Sequence, residues 1–409
     1  MLKHIFQTSI FLLALCVCAW WCIDSDNTPS PHIDFSKHTL HLPDTSPYNV
    51  YNDIIYFDIP NSEASAHASA IANVSNVSDK YLMLLYFAGS REGARDVGIY
   101  QSFFTFNKNN KNVKEQDSQI GKWSEPQKIL DAPLLSNLSG KFIKKLGNPV
   151  TFVDTQGRTH LFVVGVSMGG WATSKIYHLM FKDNLSSLQY LRELHLSPFL
   201  NFSHLVRTPA MLKDDGGFIL PIYHELARKY PLLLDFNHHL DIDSIFILPP
   251  QNLSQLQPSF VPLDSHSTIG VYRNHKVLND VMQVIECAPL CKHSKPSNLR
   301  NYDASSVLFN ALDSTFLLHN QSSRPQGNKR EELWLYMFDR QSQESESIDF
   351  IPLLRLDVLL DSEVSYPSVA LDRDFAYIAY TYGRKHIRVS FVPKSMLKAK
   401  LKIASEAMQ

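Results

Sequence analysis

From about residue 50 onward, short apolar bursts alternate with polar turns. The bursts at residues 81–87, 159–166, 217–223, 244–248, 306–309, 315–319, 333–338, 377–382 and 387–392 are each of strand length. They are rich in β-branched and aromatic residues and mostly bounded by Asp, Asn, Ser, Gly or Pro. Helical spacing of apolar positions is nearly absent except at residues 394–403, where it predicts a basic C-terminal helix. The pattern therefore predicts an all-β body.

A phrase recurs within that pattern: an apolar strand, a turn containing Asp, then a second strand. It begins at Gly147 (Gly-Asn-Pro-Val-Thr-Phe-Val-Asp), Arg207 (Arg-Thr-Pro-Ala-Met-Leu-Lys-Asp), Gln257 (Gln-Pro-Ser-Phe-Val-Pro-Leu-Asp) and Tyr366 (Tyr-Pro-Ser-Val-Ala-Leu-Asp). The starts are separated by 60, 50 and 109 residues, the last about twice the others. That is close to the period of propeller blades, and about six blades fit the length. The body is too long for an ordinary sandwich and lacks the apolar-out alternation of a membrane barrel.

The N-terminus breaks the pattern. Lys3 precedes an unbroken apolar run from Ile10 to Ile23, so residues 1–23 read as a signal peptide or membrane anchor. Trp20-Trp21 suits an anchor seated at an interface. Residues 24–49 read as a linker, 50–393 as the propeller and 394–409 as a basic tail. The body is accordingly expected outside the cytoplasm, periplasmic, lumenal or secreted, and held to a membrane by residues 10–23. Three of the five cysteines (Cys16, Cys18, Cys22) fall in the leading segment, which leaves Cys287 and Cys291 as a candidate disulfide in an oxidising compartment. With His293 they would still lack a fourth zinc ligand, so no metal and no cofactor is expected. Asn73, Asn76, Asn137, Asn184, Asn201, Asn252 and Asn320 each begin an Asn-x-Ser sequon, an acceptor only in a host that glycosylates.

Composition narrows function by exclusion. Among 409 residues, 39 Lys and Arg face 40 Asp and Glu, giving a net charge of −1 and no global field for nucleic acid. An apolar fraction of 44% rules out disorder. Only 15 glycines accompany 22 prolines, an unusual balance where hairpins normally consume glycine.

The densest polar cluster is Phe87-Ala-Gly-Ser-Arg91-Glu92-Gly-Ala-Arg95-Asp96-Val-Gly-Ile-Tyr100, between two apolar strands. It fits either a solvated turn or a rim of acid, base and anion-binding groups. With Ala66-His67-Ala-Ser before it, this stretch resembles the opening of the sialidase-like superfamily of the BNR (Asp-box) repeat type. Further phrases follow in order: Lys122-Trp-Ser-Glu-Pro, Gly147-Asn-Pro, Arg207-Thr-Pro, Tyr223-His-Glu225, Gln257-Pro-Ser, Tyr272-Arg273, Lys329-Arg330-Glu, Ser365-Tyr366-Pro-Ser and Gly383-Arg384. The resemblance spans about residues 60 to 392, and the Asp-box signature itself is degenerate.

The resemblance implies a six-bladed propeller with a central site. In sialidases three arginines clamp a substrate carboxylate, a tyrosine assisted by a glutamate attacks the anomeric carbon, and an aspartate is the general acid. Carried over, Arg273 and Arg330 match the second and third arginines, Tyr366 the nucleophile and Asp96 the acid. His67 stands where the first arginine is expected and Gln257 where the glutamate is, and an amide cannot take a proton as a carboxylate can. Glu92 is the candidate substitute.

These matches imply a sialidase-like hydrolase acting on acidic-sugar glycans. Arg91, Arg207, Arg273, Arg330, Arg384, Gln257 and Tyr223 would bind substrate, and His67, Glu92, Asp96 and Tyr366 would carry the chemistry. Arg207 and Arg384 fit a structural role equally well, and Glu225 and Glu363 read as solvated rim residues. Two other readings stay open: a glycan-binding propeller without turnover, and a uronic-acid-directed glycosidase or lyase using His67.

Overall fold

A β-rich sequence with one burst per turn has to pair neighbouring strands, and it does so here in six antiparallel sheets. The computed structural model describes residues 53–107, 120–197, 201–248, 254–264, 267–275, 281–288, 291–324 and 326–407. The expected leader and linker (residues 1–49) and the Asn252 sequon lie outside them. The six sheets are the blades of a propeller, and their innermost strands are Ser65–Asn73, Lys145–Val153, His204–Val206 continued by Met211–Leu212, Gln255–Pro262, Val307–Ala311 and Val364–Leu371. The recurring phrase falls on the inner and second strands of four blades. Its double interval skips the fifth blade, whose inner strand begins without the X-Pro pair.

Ring closure is made by Ile55–Ile59, which adds as the outermost strand of the last blade, antiparallel to His386–Pro393. Phe57 there packs on Phe104 of the first blade and Phe391 of the last, with ring centroids 5.4 and 4.9 Å apart. Pairing the N-terminal strand into the last blade joins the two ends of the propeller and closes the ring.

The inner strands share an interruption. Pairing registers shift between His67 and Ala70, Leu146 and Pro149, Leu256 and Ser259, and Ser365 and Ser368, and the third inner strand breaks between Val206 and Met211. Pro149, Pro209, Pro258 and Pro367 fall in these gaps, where a residue without an N–H cannot continue a ladder. Ala68, Gln257 and Tyr366 take left-handed φ values of 54°, 46° and 55°. For Gln and Tyr that conformation costs about 1–2 kcal/mol, and strain of this kind gathers at functional sites.

Two α-helices accompany the blades among the described residues. Lys394–Ala407 forms as the sequence predicts and buries Leu397. Ala132–Ser139 departs from the all-β reading: Asp131 caps it by accepting from the Leu134 N–H at 2.9 Å, and Gly140 ends it at φ 65°. Cys287 and Cys291 are disulfide-bonded, S–S 2.03 Å, at facing positions of a hairpin. Asn320 is fully buried and its amide donates to the carbonyls of Glu332 and Val364 at 3.0 and 2.6 Å, so this sequon is closed to modification.

Burial of histidine gives the fold a pH dependence. His67, His160, His178, His204 and His319 all have pKa values below the ordinary 6.5, chiefly because burial disfavours the imidazolium; His319 falls to about 4 and His204 to about 3. The unfolded chain takes up these protons near 6.5 while the native chain resists them. Their contribution to stability is complete above pH 6.5 and is lost as pH falls from there toward 4, by up to about 1.4 kcal/mol per pH unit for each group. Urea midpoints should fall steeply between pH 7 and 5, and a flat profile would contradict the burial described.

Candidate active site

The interrupted ends of the inner strands converge on a cavity at one mouth of the central channel. Its lining includes Phe87, Glu92, Asn148, Trp171, Tyr223, Glu225, Gln257, Arg273 and Tyr366. The other mouth is apolar, lined by residues such as Phe152, Met211, Phe260 and Leu308, and Asp154 is its only ionisable lining residue among those described. Polar chemistry therefore points to the Tyr366 end.

Tyr366 sits at the centre of a ring of cations. Arg273 Nη1 donates to its phenol oxygen at 2.8 Å. The guanidinium carbons of Arg207, Arg330 and Arg273 lie 5.1, 5.9 and 6.0 Å from its ring centroid. Arg207 is fully buried beneath the ring and donates to the carbonyls of Ser69 and Pro367 at 3.3 and 2.8 Å. Burial lowers its pKa to about 10, and no carboxylate pairs with it among the described residues. It braces the floor through these backbone carbonyls.

Three carboxylates tie down the remaining arginines. Glu363 accepts from Arg384 Nε at 2.6 Å and from Arg330 Nη1 at 3.4 Å. Asp303 accepts from Arg273 Nε at 2.7 Å, and its carbonyl accepts from Arg330 Nη2. Glu92 accepts from Arg384 Nη1 at 2.5 Å. Burial opposes the charge of Arg273, but Tyr366 and Asp303 outweigh it and hold its pKa above the usual arginine value. Arg384 behaves likewise, with Glu363 and Glu92 prevailing over burial. Asp303 is buried enough to resist ionisation, yet the Arg273 bond keeps its pKa low.

Several sequence expectations need correction. Glu363 is not a solvated rim residue; at 8% exposure it is the hub that joins Arg330 and Arg384. His67 does not line the cavity: it is 1% exposed, its ring lies 4.3 Å from that of Tyr366, and neither ring nitrogen has a hydrogen-bond partner. Burial, then the fields of the nearby arginines, push its pKa well below 6.5, so its imidazole is held neutral outside the cavity lining. Asp96 does not line the cavity; it accepts from the Ser90 N–H and hydroxyl at 2.8 and 2.9 Å, bonds that lower its pKa. Arg91 lies beside Asp96 in a neighbouring recess, also outside the cavity. Glu225 does line the cavity, as do Gln257 and Tyr223. Gln257 Nε2 donates to the Tyr223 hydroxyl at 3.3 Å, and burial raises the tyrosine pKa.

Asp303 and Trp171 had not been singled out. Asp303 stands at φ 58° just before the fifth inner strand, where no X-Pro marks it. Trp171 closes over Gly147, where a Cβ would fall 2.9 Å from its ring atoms, so only glycine lets it approach.

A model of the BNR repeat-like domain matches residues 80–384. No curated protein is matched by the sequence. Solved structures that resemble it include a protein of unknown function from Dyadobacter fermentans, with TM-score 0.61 at 13% identity, covering 83% of this chain and 98% of that one. A Hadza microbial sialidase matches with TM-score 0.57 at 12% identity, over 81% of this chain and 66% of its own. A Trypanosoma rangeli sialidase also gives TM-score 0.57 at 12% identity, over 85% of this chain and 57% of its own. At such identities these likenesses concern the fold.

Proposed function

The chain belongs to the BNR repeat-like domain family, and from that premise we propose that it is a sialidase-like glycoside hydrolase acting on glycans that end in an acidic sugar. The observation that carries this reading is the Tyr366 phenol at the cavity wall, bonded to Arg273 and ringed by arginines. Arg273, Arg330 and Arg384 would hold the sugar carboxylate, exchanging Asp303 and Glu363 for the ligand's oxygens. Tyr366 Oη would then attack the anomeric carbon, forming a glycosyl–tyrosine bond as the leaving alcohol departs with a proton.

Glu92 and Glu225 are the carboxylates that line the cavity, and we assign Glu92 the proton-exchange role in preference to Asp96, which does not line it. Glu92→Gln should lower kcat for an unactivated acidic glycoside by roughly 10²–10⁴, while Asp96→Asn should act mainly through the loop. If Asp96→Asn is the more damaging change with the fold intact, the assignment is reversed.

The glycan-binding reading is favoured by Gln257, which cannot serve Tyr366 as a base. Incubating the protein with fluorogenic sialosides and uronides decides: release supports hydrolysis, and binding without release supports recognition only. A membrane anchor at residues 10–23 would enter the propeller at Ile55, which pairs with Phe391 at the blade end remote from Tyr366.

A further inference from the structure

Beside the Tyr366 cavity lies a second recess, lined by Ser90, Arg91, Arg95, Asp96, Lys144 and Lys145. The two share a wall. Glu92 and Trp171 face the cavity, while their chain neighbours Gly93 and Gly170 face the recess. Lys145 Nζ sits 4.5 Å from the Trp171 ring centroid, and a Cβ added to Gly93 would lie 3.4 Å from that same nitrogen.

The charge balance of the recess is unlike that of the rest of the molecule. Several arginines elsewhere meet acids: Arg158 with Asp154, Arg324 with Glu331, Arg388 with Asp58. None of Arg91, Arg95, Lys144 and Lys145 forms an ion pair with a carboxylate of the described residues. Asp96 is the one acidic side chain in the lining, and both its oxygens are occupied by Ser90. Lys145 shows the consequence: burial, then the fields of Lys144 and Arg91, lower its pKa, with Glu92 opposing them only in part. In a chain whose net charge is −1, four cations gathered in a concavity are a local feature, and an anion is what relieves their repulsion.

We propose that the recess is a second anion subsite, so that the preferred substrate carries a further acidic group on the sugar next to the one held at Tyr366. This rests on the acidic-glycan reading of the central cavity. Trp171, half-buried with Lys145 over its ring, stands between the two sites where the intervening sugar would pass. The acidic group can be the carboxylate of a second acidic sugar or a sulfate ester, since both suit exposed ammonium and guanidinium donors.

The test measures binding by the full chain, in the Tyr366→Phe background so that no ligand is consumed. Ligands are matched oligosaccharides in a sialyl and a uronyl series: one terminal acid, two consecutive acids, and one terminal acid with a sulfate on the adjacent sugar. The expected result is about tenfold tighter binding of a two-anion ligand, shrinking as salt is raised to 1 M, as screened ion pairs do. An Arg95→Ala/Lys144→Ala pair should erase that gain and leave one-acid binding unchanged, with an unaltered melting curve. Whether the second sugar acid or the sulfate gives the gain identifies the source of the anion. Equal binding of one- and two-anion ligands, with one-acid binding intact, overturns the second subsite and leaves the central reading standing. Two-anion binding that survives Arg273→Ala but not the Arg95/Lys144 pair keeps the recess and overturns the central reading. No binding in either series overturns both.

Discussion

Tyr366→Phe should reduce release of an acidic sugar by about 10³-fold or more while leaving the sugar bound, because the change removes the oxygen that would form the covalent bond and little else. The phenylalanine ring keeps the packing on His67 and the contact with Arg207, whose guanidinium carbon lies 5.1 Å from the ring centroid. It loses the oxygen that accepts from Arg273 Nη1. Arg273 keeps its bond to Asp303, so the stability cost is expected near 1–3 kcal/mol, the range for one buried donor left without a partner. Single-turnover release and equilibrium binding, measured on the same preparation, separate the two effects. Unchanged release in the variant would place the nucleophile elsewhere. Retained binding in a wild-type protein that releases nothing would leave a recognition module.

The parts of this site that could be read from the sequence are those carried by local phrases. Tyr366-Pro and Gln257-Pro repeat one another because each sits at the same interruption of an inner strand, and the proline writes that interruption into the sequence. Arg273 and Arg330 were found through the same order of phrases. What stayed hidden depends on which blades become neighbours. Glu363 and Arg330 lie 33 residues apart, and nothing in either local sequence says that they meet. His67 lies 3.8 Å from Glu363 across the closure of the ring, so the histidine's burial could not be inferred from Ala-His-Ala-Ser alone. Asp96 matched a phrase, but whether its carboxylate enters the cavity is settled by the turn it closes with Ser90. The helix Ala132–Ser139 was missed for another reason. It spans little more than two turns, too few to display a period.

Glu363 is where the largest effect on folding is expected. Its carboxylate has 11% side-chain exposure and lies between Arg330 and Arg384, with the unprotonated His67 at 3.8 Å unable to share a charge. Neutralising it as Glu363→Gln leaves two guanidinium groups facing one another beside a third cation, Arg207, that has no acidic partner. Removing one member of a buried pair typically costs about 3–5 kcal/mol; because Arg384 keeps Glu92 and is itself half-exposed, the lower end applies. An acidic ligand should return part of that loss, since its carboxylate would replace the missing negative charge, and a ligand bound only by the native state raises stability with its concentration. Thermal melts of wild type and Glu363→Gln with an acidic monosaccharide should therefore show a larger upward shift in the variant. Equal shifts would mean that Arg330 and Arg384 do not reach the ligand's carboxylate, and the clamp would reduce to Arg273 alone.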